Sequence, residues 1–225
     1  SKSCEKKISK QLANRYCLLT SSCTHALEIS ALLLDLKDKD EIIVPSYTFV
    51  STANAFELRG AKIVFADSEK NTPCIDPEDI KKKINKKTKA ICIVHYAGFA
   101  CNMTEILSIV KKYGVKLIED CAHAIDAKYK NKYLGTFGDI STFSFHYTKN
   151  LISGEGGAII LKSKKYFNKA KIYLQKGTNR SDFLSKKTTK YTWVDIGSSY
   201  ELSDLNACLL SSQLEKRDII KNKRL

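Results

Sequence analysis

Between Glu41 and Asp120 one pattern recurs. A short apolar run rich in Ile and Val is followed each time by a segment with helical spacing. IIVP precedes 51–59, KIVFA (62–66) precedes 76–87, AICIVHYAG (90–98) precedes 103–114, and VKLIED (115–120) closes the series. These runs are apolar at successive positions and not only at alternate ones, which suits strands covered on both faces, as parallel strands are. The helical segments carry their own punctuation. Gly60 and Gly114 end two of them, and Asp76-Pro77-Glu78-Asp79 opens a third with a cap, a first-turn proline and two acids. Strands joined through helices predict an α/β fold, a mostly parallel (mixed) sheet with helices on both faces. The flanking chain adds a helix at 4–15, a strand at 16–19 and a nearly all-apolar helix at 25–36. After Asp120 come a strand-like run (140–145), a strand at 155–161, a helix at 164–174 and a long polar segment, 176–207. A last helix from Ser203 to about Lys223 has Leu205, Leu209 and Leu214 as its apolar face.

In sheets of this kind ligands gather beyond the carboxyl ends of the strands. Phe49, Asp120 and Lys149 all fall there, so they converge although they are far apart in sequence. Lys149 follows the run Ile140-Ser141-Thr142-Phe143-Ser144-Phe145 and precedes Gly154-Glu155-Gly156-Gly157. At the end of a buried strand an ammonium is costly to desolvate, and burial favours the amine, the form that attacks a carbonyl. An ordinary surface lysine is the competing reading, since lysine is rarely buried. Thr20 to Thr24, small and hydroxyl-rich, opens the buried helix at His25, and free N–H groups at such a start attract phosphate. Plain N-capping explains the same residues. Phe49, in the loop after Pro45, offers a face for a planar ring, or packs in the core. A Schiff-base lysine, an acid for a pyridine nitrogen, a phosphate cup and a stacking ring together match one cofactor, pyridoxal phosphate.

Composition limits the alternatives. The 225 residues carry 38 Lys+Arg against 24 Asp+Glu, a net charge of +14. Only five of the basic residues are Arg and no nucleic-acid motif accompanies them, so the excess reads as a solvated lysine-rich surface and no nucleic-acid partner is expected. Eight cysteines without a CxxC pair or a zinc-type spacing predict small buried hydrophobes in a reducing cytoplasm, with no metal. No apolar stretch is long enough to cross a bilayer, so no membrane association is expected. The chain opens at Ser1 without Met, and residues are expected to be missing before it.

The motifs SCTHALE (22–28), PSYTFVSTANAF (45–56), EDCAHA (119–124), GTFGDISTFSFHYTKN (135–150) and GEGGA (154–158) resemble the DegT/DnrJ/EryC1/StrS sugar aminotransferases, which have the fold type I architecture of pyridoxal phosphate enzymes. KGTNRS (176–181) and the later DIGSSY resemble the branch that makes dTDP-4-amino-4,6-dideoxygalactose. The resemblance covers essentially the whole chain. It implies a pyridoxal phosphate-binding large domain at 1–215, with 216–225 starting a C-terminal small domain that is otherwise missing. It also implies transfer of an amino group from an amino acid, L-glutamate, to a dTDP-linked 4-keto-6-deoxy sugar by a homodimer. Lys149 is implied as the catalytic lysine and Asp120 as the pyridinium partner. His123 is implied near the ring hydroxyl and Phe49 on the ring face. Thr24, His25 and Ser144 are implied at the phosphate, and Ser199 at the phosphate across the dimer. Dehydratase relatives on this scaffold replace the lysine by His, which Lys149 opposes. A catalytically incomplete fragment, or a binding protein of the same fold, is the alternative.

Overall fold

The computed structural model describes residues 1–224. Among the described residues nine strands form: β1 (Tyr16–Thr20), β2 (Glu41–Pro45), β3 (Lys62–Ala66), β4 (Thr88–Val94), β5 (Lys116–Asp120), β6 (Lys128–Tyr129), β7 (Lys132–Tyr133), β8 (Ile140–Ser144) and β9 (Gly157–Leu161). Seven of them make one sheet in the order β1-β9-β8-β5-β4-β2-β3. The pairs β2–β3, β2–β4, β4–β5 and β5–β8 are parallel, and β9 runs antiparallel between β8 and β1. The helices are α1 (Lys2–Gln11), α2 (Cys23–Leu33), α3 (Ser51–Glu57), α4 (Pro77–Lys83), α5 (Met103–Tyr113), α6 (Lys164–Leu174), α7 (Arg180–Leu184), α8 (Asp204–Glu215) and α9 (Arg217–Arg224).

The continuous apolar runs are explained by cover on both faces. Leu18, Ile42, Val44, Ala90, Cys92 and Ile159 turn toward α2, α3 and α6. Their neighbours point the other way: Cys17, Leu19, Ala158 and Ile160 toward α1 and α8, and Ile43, Ile91 and Ile93 toward α4 and α5. Successive strand side chains face opposite sides, so each face needs its own apolar set.

Four expectations are corrected here. The helix expected over 76–87 ends at Lys83, because Ile84 is extended (ψ 132°) and Asn85 turns back to Glu41, Nδ2 to Oε2 at 2.7 Å. The last helix is two, broken at Lys216. Its buried residues are Ala207 and Leu210, and Leu214 packs against the same core as expected, but Leu205 is 84% exposed and Leu209 is exposed too. The small Ala207 lets α1 approach closely, and the Cys4 thiol donates to the Ala207 carbonyl at 3.4 Å. The strand expected to reach Gly98 stops at Val94, and Tyr96–Gly98 forms a 3₁₀ turn. The β6–β7 hairpin was not foreseen; positive φ at Lys130 (46°) and Asn131 (65°) gives the turn a tight hairpin requires, in a stretch too short and polar to show a strand pattern. All eight cysteines are free, and six are buried. No helix is long and apolar enough to cross a membrane among the described residues.

One contact ties the sheet to the helix that opens over it. A Cβ on Gly157 would lie 2.5 Å from the backbone N of Cys23 and from the carbonyl carbon of Ser22. Neither neighbour is a side chain that can swing aside. Gly157→Ala is therefore expected to destabilise the fold by about 1–3 kcal/mol, measured by chemical denaturation, because it pushes the start of α2 off β9.

Candidate active site

A cavity of about 480 Å³ opens at the carboxyl ends of β4, β5 and β8. Asp120, the last residue of β5, is its floor and is only 4% exposed. The Thr52 hydroxyl donates to Asp120 Oδ2 at 2.9 Å and the Ala122 N–H to Oδ1 at 3.0 Å. Thr52 in turn shares a hydrogen bond with Thr48, in the loop before α3, at 2.8 Å. Burial pushes the Asp120 carboxyl above its ordinary value, against the lowering effect of these two donors. The residue before it points into the opposite side of the sheet. Glu119 accepts from the N–H groups of Gly135, Phe137 and Gly138 at 2.9, 2.8 and 2.6 Å, and its Oε2 lies 3.1 Å from His95 Nε2. Burial acts to raise Glu119, but His95 and the amide donors outweigh it and hold the carboxyl below its ordinary value. His95 Nδ1 accepts from the Cys101 N–H at 3.2 Å. The trio His95, Glu119 and Cys121 is close enough to hold a cation, with ligand atoms within 4.8 Å of one another. His95 and Glu119 are already engaged with each other and with backbone donors, and burial keeps the Cys121 thiol protonated. The His95–Glu119 pair is thus a brace that fixes the loop entering β8.

The start of α2 forms one wall, with Ser22, Cys23 and Thr24 lining it. Ser22 caps the helix by accepting the His25 N–H at 3.0 Å. The N–H groups of Cys23 and Thr24, in the first turn, have no helical acceptor and lie at the positive end of the helix dipole. Ser144, the last residue of β8, is buried opposite them. Lys149 lies five residues further on, in a turn, and is half-buried. The expectation of a lysine on the end of a buried strand is corrected to this. Its N–H donates to the His146 carbonyl at 2.9 Å. His123 borders the cavity, accepts the Ala97 N–H through Nδ1 at 3.3 Å, and meets the Tyr96 ring edge-on at 5.1 Å. Burial first, and the Lys149 cation second, lower its pKa. Phe49 sits on the rim, 70% exposed.

Six of the residues singled out in the sequence thus share one cavity: Thr24, Phe49, Asp120, His123, Ser144 and Lys149. Two do not line it. His25 has its N–H bound to Ser22 and its ring against Tyr200, 4.9 Å between centroids. Ser199 is exposed beyond α6, bridged to Gln175. Sequence reasoning missed Thr52, Glu119 and Glu155. Thr48 lies in the loop before α3 and Thr52 in its first turn, so no periodic pattern marked Thr52.

A lysine turn, a buried strand-end carboxylate and a helix start around one cavity of a largely parallel sheet define the large-domain architecture of pyridoxal phosphate-dependent transferases. The chain belongs to the DegT/DnrJ/EryC1/StrS aminotransferase family, which it matches over residues 1–225. It is 37% identical over 215 residues to GDP-perosamine synthase of Escherichia coli O157:H7, covering 95% of this chain and 57% of that protein. Among solved structures it is similar to PseC of Helicobacter pylori, an aminotransferase of pseudaminic acid biosynthesis, with TM-score 0.88 and 31% identity over 97% of this chain and 58% of that one. It is also similar to the sugar aminotransferase Spr1654 of Streptococcus pneumoniae in its PLP form, with TM-score 0.87 and 25% identity over 96% of this chain and 58% of that one. The chain spans less than two thirds of the length of each.

Proposed function

We propose that this cavity holds pyridoxal phosphate, and that the protein transfers an amino group from an amino acid, L-glutamate, to a 4-keto-6-deoxy sugar carried on a nucleotide. The observation that carries the reading is Asp120: a buried carboxylate that, among the described residues, has two neutral donors and no ion-pair partner, facing the same cavity as Lys149. A buried anion is stabilised by a cation placed against it, and a protonated pyridine nitrogen is such a cation. The other groups fit the rest of the molecule. The free N–H groups of Cys23 and Thr24 and the Ser144 hydroxyl suit a phosphate dianion. His25 is left out of that set because Ser22 takes its N–H. Phe49 covers a ring face, and His123 Nε2 is available to a ring hydroxyl.

When bound, pyridoxal phosphate supplies a carbonyl that condenses with amines and a ring that accepts the electron pair released on loss of a Cα proton. Asp120 keeps positive charge on the ring nitrogen. Lys149 Nζ serves as the base that takes the proton from the donor Cα and as the acid that returns one to the sugar carbon. Burial first, and the Lys149 cation second, lower the His123 pKa, which favours its role as a hydrogen-bonding group over that of a charge. Ser199 reaches such a site only from a second copy, as a homodimer provides. For the nucleotide, thymidine follows from the KGTNRS and DIGSSY segments, and guanosine from the likeness to GDP-perosamine synthase.

Absorbance tests the proposal. Adding pyridoxal phosphate is expected to produce a visible band from the lysine adduct. L-glutamate should bleach it, and a 4-keto-6-deoxy nucleotide sugar should restore it. Comparing dTDP- and GDP-linked sugars assigns the base. A spectrum of pyridoxal phosphate unchanged by the protein overturns the reading.

A further inference from the structure

The turn that carries Lys149 is fixed unevenly. Its root is held by backbone hydrogen bonds: Phe145 N–H to Gly156 O at 2.8 Å, Tyr147 N–H to Gly154 O at 2.8 Å, and Ser153 N–H to Phe145 O at 2.7 Å. Its tip is exposed at Tyr147, Thr148 and Asn150. Among the described residues, Thr148 forms hydrogen bonds only with the His146 ring. Its N–H donates to His146 Nδ1 at 3.3 Å, and its hydroxyl lies 2.8 Å from the same nitrogen. Nδ1 is therefore an acceptor and the ring proton sits on Nε2. That nitrogen lies 3.2 Å from Glu155 Oε1, across the root of the turn. The Tyr147 ring packs on the imidazole, with centroids 4.1 Å apart. His146, Thr148 and Glu155 all line the cavity beside Lys149.

We infer that Glu155, His146 and Thr148 form a positioning relay for Lys149: the carboxylate orients the imidazole, and the imidazole holds the residue next to the lysine. The inference rests on the proposed role of Lys149 as the reacting amine. A stabilising role alone accounts poorly for the arrangement. The two side chains of the pair are 32% and 60% exposed, and at such exposure even a fully charged pair contributes little to stability. A reactive amine, by contrast, is sensitive to placement, because a displacement of about 1 Å costs on the order of 100-fold in rate. The relay is built from side chains on both arms of the turn, His146 just beyond β8 and Glu155 just before β9, so it registers the lysine against both strands together. In the sequence its signature is His three residues before the lysine and Glu six after.

Two measurements on the intact protein test this. In cofactor-free protein, His146→Ala is expected to speed hydrogen exchange at the Thr148 and Lys149 amides about tenfold or more, leaving the β9 amides unchanged. With pyridoxal phosphate, the same variant should form the lysine adduct on the order of 10- to 100-fold more slowly, and lower kcat with KM for the amino donor nearly unchanged. Glu155→Gln keeps an oxygen facing Nε2 and should behave as wild type; Glu155→Ala should follow His146→Ala. His146→Asn keeps an acceptor for Thr148 and should give intermediate exchange, and it carries the test if the alanine variant does not fold. Unchanged exchange in both His146 variants overturns the relay. Absence of any adduct in wild type instead overturns the proposed function, while the exchange result still decides the relay.

Discussion

Asp120→Asn is expected to raise the stability of the cofactor-free protein by about 1 kcal/mol while costing about 2–5 kcal/mol of pyridoxal phosphate affinity. The opposite signs follow from one fact, the burial of a carboxylate whose hydrogen-bond partners among the described residues are neutral donors. Asparagine keeps both contacts. Its Oδ1 still accepts the Ala122 N–H, and its Nδ2 donates to Thr52 Oγ1, which rotates to donate to Thr48. What disappears is the charge. Because burial raises the carboxyl above its ordinary value, the folded state holds that proton more tightly than the unfolded chain does. The contribution of Asp120 is therefore favourable at low pH and is lost as pH rises from the ordinary carboxylate range through the raised value. Asp120→Asn should flatten that part of the stability profile, read by denaturation at a series of pH values. With cofactor present the asymmetry reverses, since a buried anion beside a cation is worth more than either alone, and removing one partner strands the other. A variant that loses cofactor affinity and cofactor-free stability together would falsify the pairing, because it would mark Asp120 as a packing residue.

The fold was legible because both faces of the sheet are covered. That cover forces Ile42-Ile43-Val44 and Ile91-Cys92-Ile93 to be apolar at every position, and the helices between them are punctuated by Gly114 and by Asp76-Pro77. Short polar elements were not legible, since two-residue strands such as Lys128–Tyr129 bury too little to impose a pattern. Nor was the rotation of α8, where the buried stripe is set by how closely α1 can approach Ala207, a matter of packing and not of period. In the site, Asp120 was readable from topology, since it sits where a parallel strand ends, whereas Ser144 came from the family resemblance alone. The supports were not readable. Glu119 looks like one more strand-end acid, and only the folded chain reveals that three loop amides and His95 converge on it. Ser22's capture of the His25 N–H is equally local and equally silent in the sequence, because any residue of that first turn presents the same backbone donor.

Lys149→Ala is expected to lower transamination by at least about 10²–10⁴-fold, the range for loss of a positioned acid–base group, and to remove the visible band of the lysine adduct. Cofactor binding without that band should persist, because Asp120, the start of α2 and Ser144 are untouched. The folded state should keep its stability within about 0.5 kcal/mol, as the side chain is half-buried in a turn held by its backbone. Lys149→Arg separates charge from chemistry. A guanidinium keeps the cation but neither condenses with a carbonyl nor gives up its proton, so it should be as inactive as alanine. His123 supplies a readout that needs no cofactor. Burial and the Lys149 cation both lower its pKa, and the alanine variant removes the second cause, so the His123 resonance should titrate at higher pH than in wild type. The same shift has a sign in stability. Between the ordinary histidine value and the lowered one, the unfolded chain binds a proton that the folded state refuses, so stability falls as pH drops through that window. Lys149→Ala narrows the window and should soften the fall on the acid side, whereas Lys149→Arg should leave it in place. If His123 titrates identically in all three proteins, the lysine amine does not face the cavity, and its assignment as the reacting group fails with it.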